Sequence, residues 1–441
     1  MSLATPASVQ ELQTALHGKA KESPDFRFYA LYDKVYRKDV LLYAYTCCKA
    51  NGGAAGVDDQ TFEDIEAYGV ERWLDELTQE LKSRTYRPLP VRRVYIPKPG
   101  GKQRPLGIPA IRDRAVMMAA VLVLESIFEA DLQPEQYAYR RNRSALDAVR
   151  HVHKLINIGH VEIIDADLAG YFDTLPHAEL LKSVARRVVD GAMLHLIKMW
   201  LTAPVEETDE RGKKRRNTRN RDEGRGSPQG SPISPLLSNL YMRRFVLGWK
   251  KLGHERRLGA CIVNYADDFV ICCRGGAEEA LATMQAMMTK LKLTVNETKT
   301  RVAKLPEEKF DFLGYTFGRC YSTKTGRAYL GTIPAKKRVI RICQAISSET
   351  GRNRTPLEPT VVVAQLNQMM NGWANYFCLG PVSKAYQAIE RHACKRLRQW
   401  LCAKHQLSRA STGKFPDECL HDRYGLVRLT ERTHSFSWAK P

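Results

Sequence analysis

The chain has 441 residues, 44% hydrophobic and 27% charged, the balance of a folded globular protein rather than a disordered or fibrous one. Lys and Arg outnumber Asp and Glu by 69 to 48, a net charge of +21, and so large an excess calls for a polyanionic partner, nucleic acid first. The longest unbroken apolar stretch, 115–124, is far too short to span a membrane, and residues 1–20 lack the apolar core of a secretion signal. A cytoplasmic protein with no membrane partner is therefore expected, built from about two to four subdomains. Eleven cysteines with no Cys-x-x-Cys spacing read as reduced, buried thiols, with neither a zinc site nor a disulfide framework.

In chain order, the first twenty or so residues read as polar and mobile. Over 26–81 apolar positions recur at helical spacing around a Gly-rich break, 51–58. Residues 91–97 alternate like a strand, and Lys98-Pro99-Gly100-Gly101-Lys102 turns the chain back into 103–108, a hairpin with a basic tip. A strand over 161–168 runs into Tyr171-Phe172-Asp173. The charge-dense stretch 211–225 reads as a solvated loop. Ser234 and Pro235 suit the N-cap and first position of a helix whose Leu237, Tyr241, Phe245 and Trp249 repeat every four residues. Strands at 261–264 and 269–273 meet across Tyr265-Ala266-Asp267-Asp268. Val362, Leu366, Met369, Trp373 and Phe377 mark a late amphipathic helix, in which Trp373, Tyr376 and Phe377 read as core and Asn367, Asn371 and Asn375 form a polar stripe. From 336 to 404 there are 12 Lys/Arg against 3 Asp/Glu, so the late module is basic as well as helical.

Asp267 and Asp268 stand at a hairpin tip, and Asp167 ends a strand 100 residues earlier. Unpaired acids between apolar strands cost several kcal/mol to bury, which makes sense if divalent metal neutralises them. Hard oxygen ligands open to water and substrate phosphates suit Mg²⁺, and two such ions could activate a 3′-hydroxyl and stabilise a pyrophosphate leaving group. The plainer alternative is a solvated Asp-Asp turn. Asp165 shares a strand face with Asp167 by period two and is a rival ligand.

These carboxylates belong to a longer series of motifs. Leu31-Tyr32-Asp33-Lys34-Val35, Ile96-Pro97-Lys98 to Ile108-Pro109, Asp113-Arg114, Asp167-Leu168-x-x-Tyr171-Phe172-Asp173, Ser227-Pro228-Gln229-Gly230-Ser231-Pro232, Tyr265-Ala266-Asp267-Asp268, Leu293-Thr294-Val295-Asn296, Phe310-Asp311-Phe312-Leu313-Gly314 and Gly372-Trp373-Ala374-Asn375-Tyr376-Phe377 follow one another. In that order they resemble bacterial group II intron reverse transcriptases with a maturase domain, of the type without a C-terminal endonuclease. Three positions depart from that pattern: Met117 stands where Gln is usual, Arg141 where Pro is frequent, and Asn264 where a basic residue often precedes the Tyr.

The resemblance implies an α/β (α+β) right-hand polymerase, with fingers and palm on a mixed sheet and a helical thumb called domain X. It divides the chain into an N-terminal extension (1–90), fingers and palm (91–320), thumb (321–410) and a short C-terminal segment (411–441). It implies an RNA-directed DNA polymerase that copies intron RNA for retrohoming and assists its splicing. Its cofactor would be two Mg²⁺ ions, with Mn²⁺ as a substitute. Its partners would be group II intron RNA, an RNA template with a DNA primer, a DNA target and dNTPs. Asp167, Asp267 and Asp268 would be the catalytic carboxylates, with the Leu168 carbonyl as a further metal ligand and Lys299 as a proton donor to pyrophosphate. Lys98 and Arg104 would hold the triphosphate, Phe172 would exclude a 2′-hydroxyl, and Gln229 would shape the nascent pair. Lys336, Lys337, Arg338, Asn367, Asn371, Asn375, Lys395, Arg396 and Arg398 would face RNA. A freestanding enzyme in host repair or defence and an RNA-binding splicing cofactor without polymerase activity are the rival readings. Only Cys419, His421 and His434 lie in the last 25 residues, too few for a paired-cysteine nuclease, so the expected primer is an existing DNA strand.

Overall fold

The computed structural model describes residues 3–97, 103–209, 212–322, 325–407 and 413–435. The chain opens with a helix where a mobile segment is expected. In α1 (Ala7–Glu22) Val9, Gln13 and Ala20 fall on one face and are buried, and Gln13 Nε2 donates to the Leu122 carbonyl at 2.9 Å. A helix of this length is marginal alone and is held by packing its stripe. Helices α2 (Tyr32–Val35), α3 (Lys38–Asn51), α4 (Phe62–Tyr68) and α5 (Val70–Lys82) follow around the Gly-rich break.

Strands β1 (Val91–Pro97) and β2 (Gln103–Ile108) pair antiparallel. Their tip, with Lys98, lies outside the described residues. Next comes α6 (Ile111–Glu129), buried on nearly every side, as suits a helix that is apolar all round. Then follow α7 (Ala145–Asn157), opened by a Ser144/Asp147 capping box, and β3 (Glu162–Ala166), α8 (Tyr171–Thr174), α9 (His177–Ala185) and α10 (Gly191–Leu201). The described part of the stretch expected to be a solvated loop is solvent-exposed but forms secondary structure. Strand β4 (Val205–Thr208) turns into β5 (Lys214–Asn217), then the short α11 (Arg219–Asp222), because Glu206 accepts from Arg216 at 2.8 Å and draws the charged run into register. The first sheet has the order β2-β1-β4-β5.

Helix α12 (Ser234–Lys251) begins one residue earlier than expected, with Ile233 as its N-cap. The Ser234 hydroxyl is used elsewhere, donating to the Pro228 carbonyl at 2.9 Å. Helix α13 (His254–Leu258) leads into β6 (Ala260–Tyr265) and β7 (Asp268–Cys273), followed by α14 (Ala277–Lys290) and β8 (Arg301–Lys304). These complete an antiparallel central sheet, β6-β7-β3-β8. Its two faces differ. Ile164, Ala166, Ile262, Phe269 and Ile271 pack with Leu237, Tyr241 and Phe245 of α12. Ile163, Val263, Val270 and Cys272 pack with α7 and with Phe310, Phe317 and Phe377. Period two puts Asp165 and Asp268 on the second face.

A third sheet, β11-β10-β9, is made from β9 (Phe310–Phe312), β10 (Tyr315–Tyr321) and β11 (Ala328–Pro334). Position 320 falls inside β10, and the structural break comes after Pro334. Beyond it α15 (Lys336–Glu349), α16 (Pro359–Tyr376) and α17 (Ser383–Lys404) form a helical module with its own core. Phe415, Leu420, Leu426 and Leu429 join that core, so residues 415–429 are part of the module. The eleven cysteines are all unpaired, but five of them are only half-buried. Among the described residues no helix is long and apolar enough to cross a membrane.

Candidate active site

Three short segments bring the acidic residues together. Strand β3 ends at Ala166, and Asp167 follows as the chain leaves the sheet; its carbonyl accepts from Asn296 N–H at 2.8 Å. Leu168, buried, bridges Val295. On the neighbouring strands a two-residue turn, Ala266-Asp267, joins Tyr265 to Asp268. Ala266 takes a left-handed φ of 59°, and the Asn264 side chain donates to its carbonyl at 2.8 Å. The departure at 264 thus pins the turn from a wholly buried position.

Asp268 opens onto a cleft, yet burial by the cleft walls, followed by the charges of Asp267, Asp167 and Asp165, pushes its pKa up to about 6, with Lys299 opposing. Burial also raises Asp165, which is held 3.5 Å from Arg301. Asp167 is ion-paired as well: its Oδ2 accepts from Lys299 Nζ at 2.9 Å and from Asn296 Nδ2 at 3.1 Å. Lys299 supplies a counter-charge to Asp167. Among the described residues no three acidic, His or Cys side chains close into a preformed metal cage. The donor set is instead an open cluster of hard carboxylate oxygens with unneutralised negative charge, which suits a divalent cation whose remaining ligands come from substrate or water.

The rim is built from the first sheet and the loop before α12. Arg104 Nε donates to Gln229 Oε1 at 3.0 Å, and Gly107 N–H donates to the Gln229 carbonyl at 2.6 Å. Gly230, at φ 109°, is pressed so close that a Cβ there would sit 2.5 Å from the Gly107 carbonyl oxygen. The hairpin and the loop are therefore packed tightly together. Phe172 is buried beneath this loop, with its carbonyl accepting from Ser227 N–H at 2.7 Å. Met117, the second departure, accepts from Ser231 Oγ at 3.0 Å. Arg141, the third, donates to Gln13 Oε1 at 3.1 Å.

Sequence reasoning missed Tyr139. It is half exposed with φ 54°, a conformation rare for an aromatic residue. Burial and then Asp267, Tyr265 and Asp268 raise its phenol, while Arg104 lowers it, so it stands among the groups of the site. Only that backbone angle marks it, and one sequence does not reveal it.

An open cleft of about 610 Å³ runs from Tyr265 and Asp268 to Arg338, Arg341, Trp373 and Tyr376. Trp373 and Tyr376 are half-buried, packed against the core and lining the cleft, and Phe377 is buried core that also lines it. Of the residues expected to face RNA, Lys336 and Lys395 are exposed and Arg338 lines the cleft. Lys337 pairs with Asp311 at 2.8 Å. Several others are occupied internally. Asn367 bonds the Gly425 carbonyl and Val427 N–H, both at 2.8 Å, and Arg432 donates to Asn371 Oδ1 at 2.9 Å and Asn375 Oδ1 at 2.6 Å. Arg396 donates to the Ser347 and Thr350 carbonyls that end α15, and Arg398 to the Phe415 carbonyl. The polar stripe is a seam inside the module, because orphan carbonyls at a helix end and in a folded-back segment need donors.

Residues 96–317 match the family model described as reverse transcriptase (RNA-dependent DNA polymerase). The chain belongs to the reverse transcriptase family. The match runs from β1 into β10 and contains every carboxylate of the cluster, while residues 339–415 match the maturase-specific domain of group II introns. This reverse transcriptase is 32% identical to protein YkfC of Escherichia coli (strain K12) over 371 residues, 75% of this chain and 93% of that protein. It is 27% identical to group II intron-encoded protein LtrA of Lactococcus lactis subsp. cremoris over 360 residues, 67% of this chain and 58% of LtrA. It is 26% identical to the putative COX1/OXI3 intron 1 protein of Saccharomyces cerevisiae over 391 residues, 77% of this chain and 44% of that one. It spans about half the length of the last two. A reverse transcriptase domain implies the right-hand polymerase fold and RNA-directed DNA polymerase activity, and the mixed sheets and helices agree with it.

Proposed function

We propose that this reverse transcriptase copies the RNA of a group II intron into DNA for retrohoming and, as a maturase, holds that RNA for splicing. The observation that carries the reading is the open carboxylate cluster of Asp167, Asp267 and Asp268 facing a cleft bounded by the basic helical module. In this reading the first sheet is the fingers, the central sheet the palm and α15–α17 the thumb. The primer 3′-hydroxyl oxygen attacks the α-phosphorus of a dNTP, and the bond to pyrophosphate breaks. Two Mg²⁺ ions held by the three carboxylates and the Leu168 carbonyl would supply Lewis acidity for that displacement. Arg104, tied to Gln229, orients the triphosphate against the template loop, with Lys98 as a second cation. Phe172 closes the space beside the sugar. Lys299 holds Asp167 and would pass a proton to the leaving pyrophosphate.

The test is primer extension on an RNA template with dNTPs and Mg²⁺, beside a splicing assay with the flanking RNA. Extension by the wild type and faster splicing in its presence are expected. A protein that binds RNA but extends no primer in Mg²⁺ or Mn²⁺ would overturn the polymerase part, and unassisted splicing the maturase part.

A further inference from the structure

The central sheet has a second side. Helix α12 covers the face opposite Asp268, and on the outer side of that helix, against α9, lies a groove of about 450 Å³ lined by Arg27, Lys182, Arg186, Arg243 and Arg244 with a single carboxylate, Glu179. Glu179 is shared among Lys182, Arg244 and Lys292, each at 3.5 Å. Asp131, behind the groove, is engaged by Arg186 and Arg187. The positive charge is therefore crowded beyond what the protein neutralises, and burial followed by the charge of Arg186 lowers the pKa of Arg243 to about 10. Crowded guanidinium groups on a surface are stabilised by a polyanion that spans several of them.

The segment that supplies Arg27 carries a further feature. Phe28 is buried and bridges Val188, so Arg27 and Tyr29 both point outward from that segment, and Tyr29 is 73% exposed. An open tyrosine ring two residues from a groove-lining arginine, on the same side of the segment, suits stacking of an unpaired base while the backbone is held electrostatically. A blunt duplex has no unpaired base to offer it.

We propose that the α9–α12 groove binds the phosphodiester backbone of a folded RNA, with Tyr29 stacking on an unpaired base, on the side of the central sheet away from the primer–template cleft. The proposal rests on the maturase reading, since it gives the protein a hold on folded RNA that leaves the cleft open for synthesis.

The probe is a hairpin RNA with an unpaired adenine loop, compared with a blunt DNA duplex. Reversing both Arg27 and Lys182 to Glu should weaken hairpin binding about tenfold or more and flatten its salt dependence by about one to two units of log–log slope. Tyr29→Ala should weaken hairpin binding about fivefold or more, with blunt-duplex binding unchanged. Extension of an annealed primer at saturating concentration and the melting temperature should stay at wild-type values in both variants. Unchanged hairpin binding in either variant overturns the proposal. So does equal loss on the blunt duplex, or loss of extension in parallel with binding, which would assign the groove to the primer–template. A wild type that fails to extend, yet loses hairpin binding in these variants, would instead sink the polymerase reading alone.

Discussion

Asp268 is the residue on which the cluster's electrostatics converge. Burial and three neighbouring carboxylates push its pKa up to about 6 from an ordinary value of 3.8. Between those values the folded state holds a proton that the unfolded state has released, so the contribution of this group to stability is present below about pH 4 and lost as pH rises through 6. Asp268→Asn should then raise the melting temperature of the metal-free protein at pH 7.5, with the gain shrinking towards pH 4, while DNA synthesis in Mg²⁺ is abolished. A melting temperature lowered equally at both pH values would contradict the repulsion, and near wild-type synthesis would contradict the metal role. Phe172 tests shape rather than charge. Phe172→Ala removes a buried ring, costing about 3 kcal/mol of stability, and the void beside the sugar should let ribonucleotides in. An unchanged preference for dNTP over rNTP in single-nucleotide extension would make Phe172 ordinary core.

At the scale of elements, the site depends on the junction between the β1–β2 hairpin and the loop before α12. Gly230→Ala would place a methyl 2.5 Å from the Gly107 carbonyl oxygen at a φ of 109°, strained in both space and backbone. Primer extension should fall at least tenfold with the far-UV spectrum unchanged, and full activity would show that the loop can part from the hairpin freely. Asn367→Ala breaks two bonds of the seam between α16 and the 425–427 segment, so a loss of about 1–2 kcal/mol in denaturant unfolding is expected. Selective loss of RNA binding with full stability would return the asparagine to RNA. These elements also show what a sequence discloses. The β6–β7 hairpin and α12 are legible because alternation and four-residue spacing are local patterns. The ordered α1 and the asparagine seam are not, since each depends on a partner far along the chain, Leu122 for Gln13 and Gly425 and Val427 for Asn367, while β5 is a charged run without alternation that is paired only through Glu206. Tyr139 reached the site through a backbone angle, and Lys299 through an ion pair with Asp167.

Across the whole molecule the net charge of +21 is spread over separate surfaces rather than gathered at the chemistry. The carboxylate cluster is locally negative, whereas cations line the α9–α12 groove and the exposed strand β5, and Arg338 and Arg341 line the cleft wall. Binding and turnover should therefore respond differently to salt. Each phosphate engaged by a cation releases a counterion, so log affinity for structured RNA should fall linearly with log salt, by about 0.7 to 0.9 for every contact. The displacement itself takes place among charges held a few ångströms apart, which salt screens far less than it screens exposed cations more than about 8–10 Å from their partners. Raising salt from low to moderate values should thus increase the primer–template concentration needed for half-maximal extension, while the rate at saturation changes little. A flat dependence of affinity would mean that most of the excess charge faces no nucleic acid. A saturated rate that falls as steeply as affinity would mean that salt acts on the chemistry, and that the separation of binding surface from carboxylate cluster has no functional consequence.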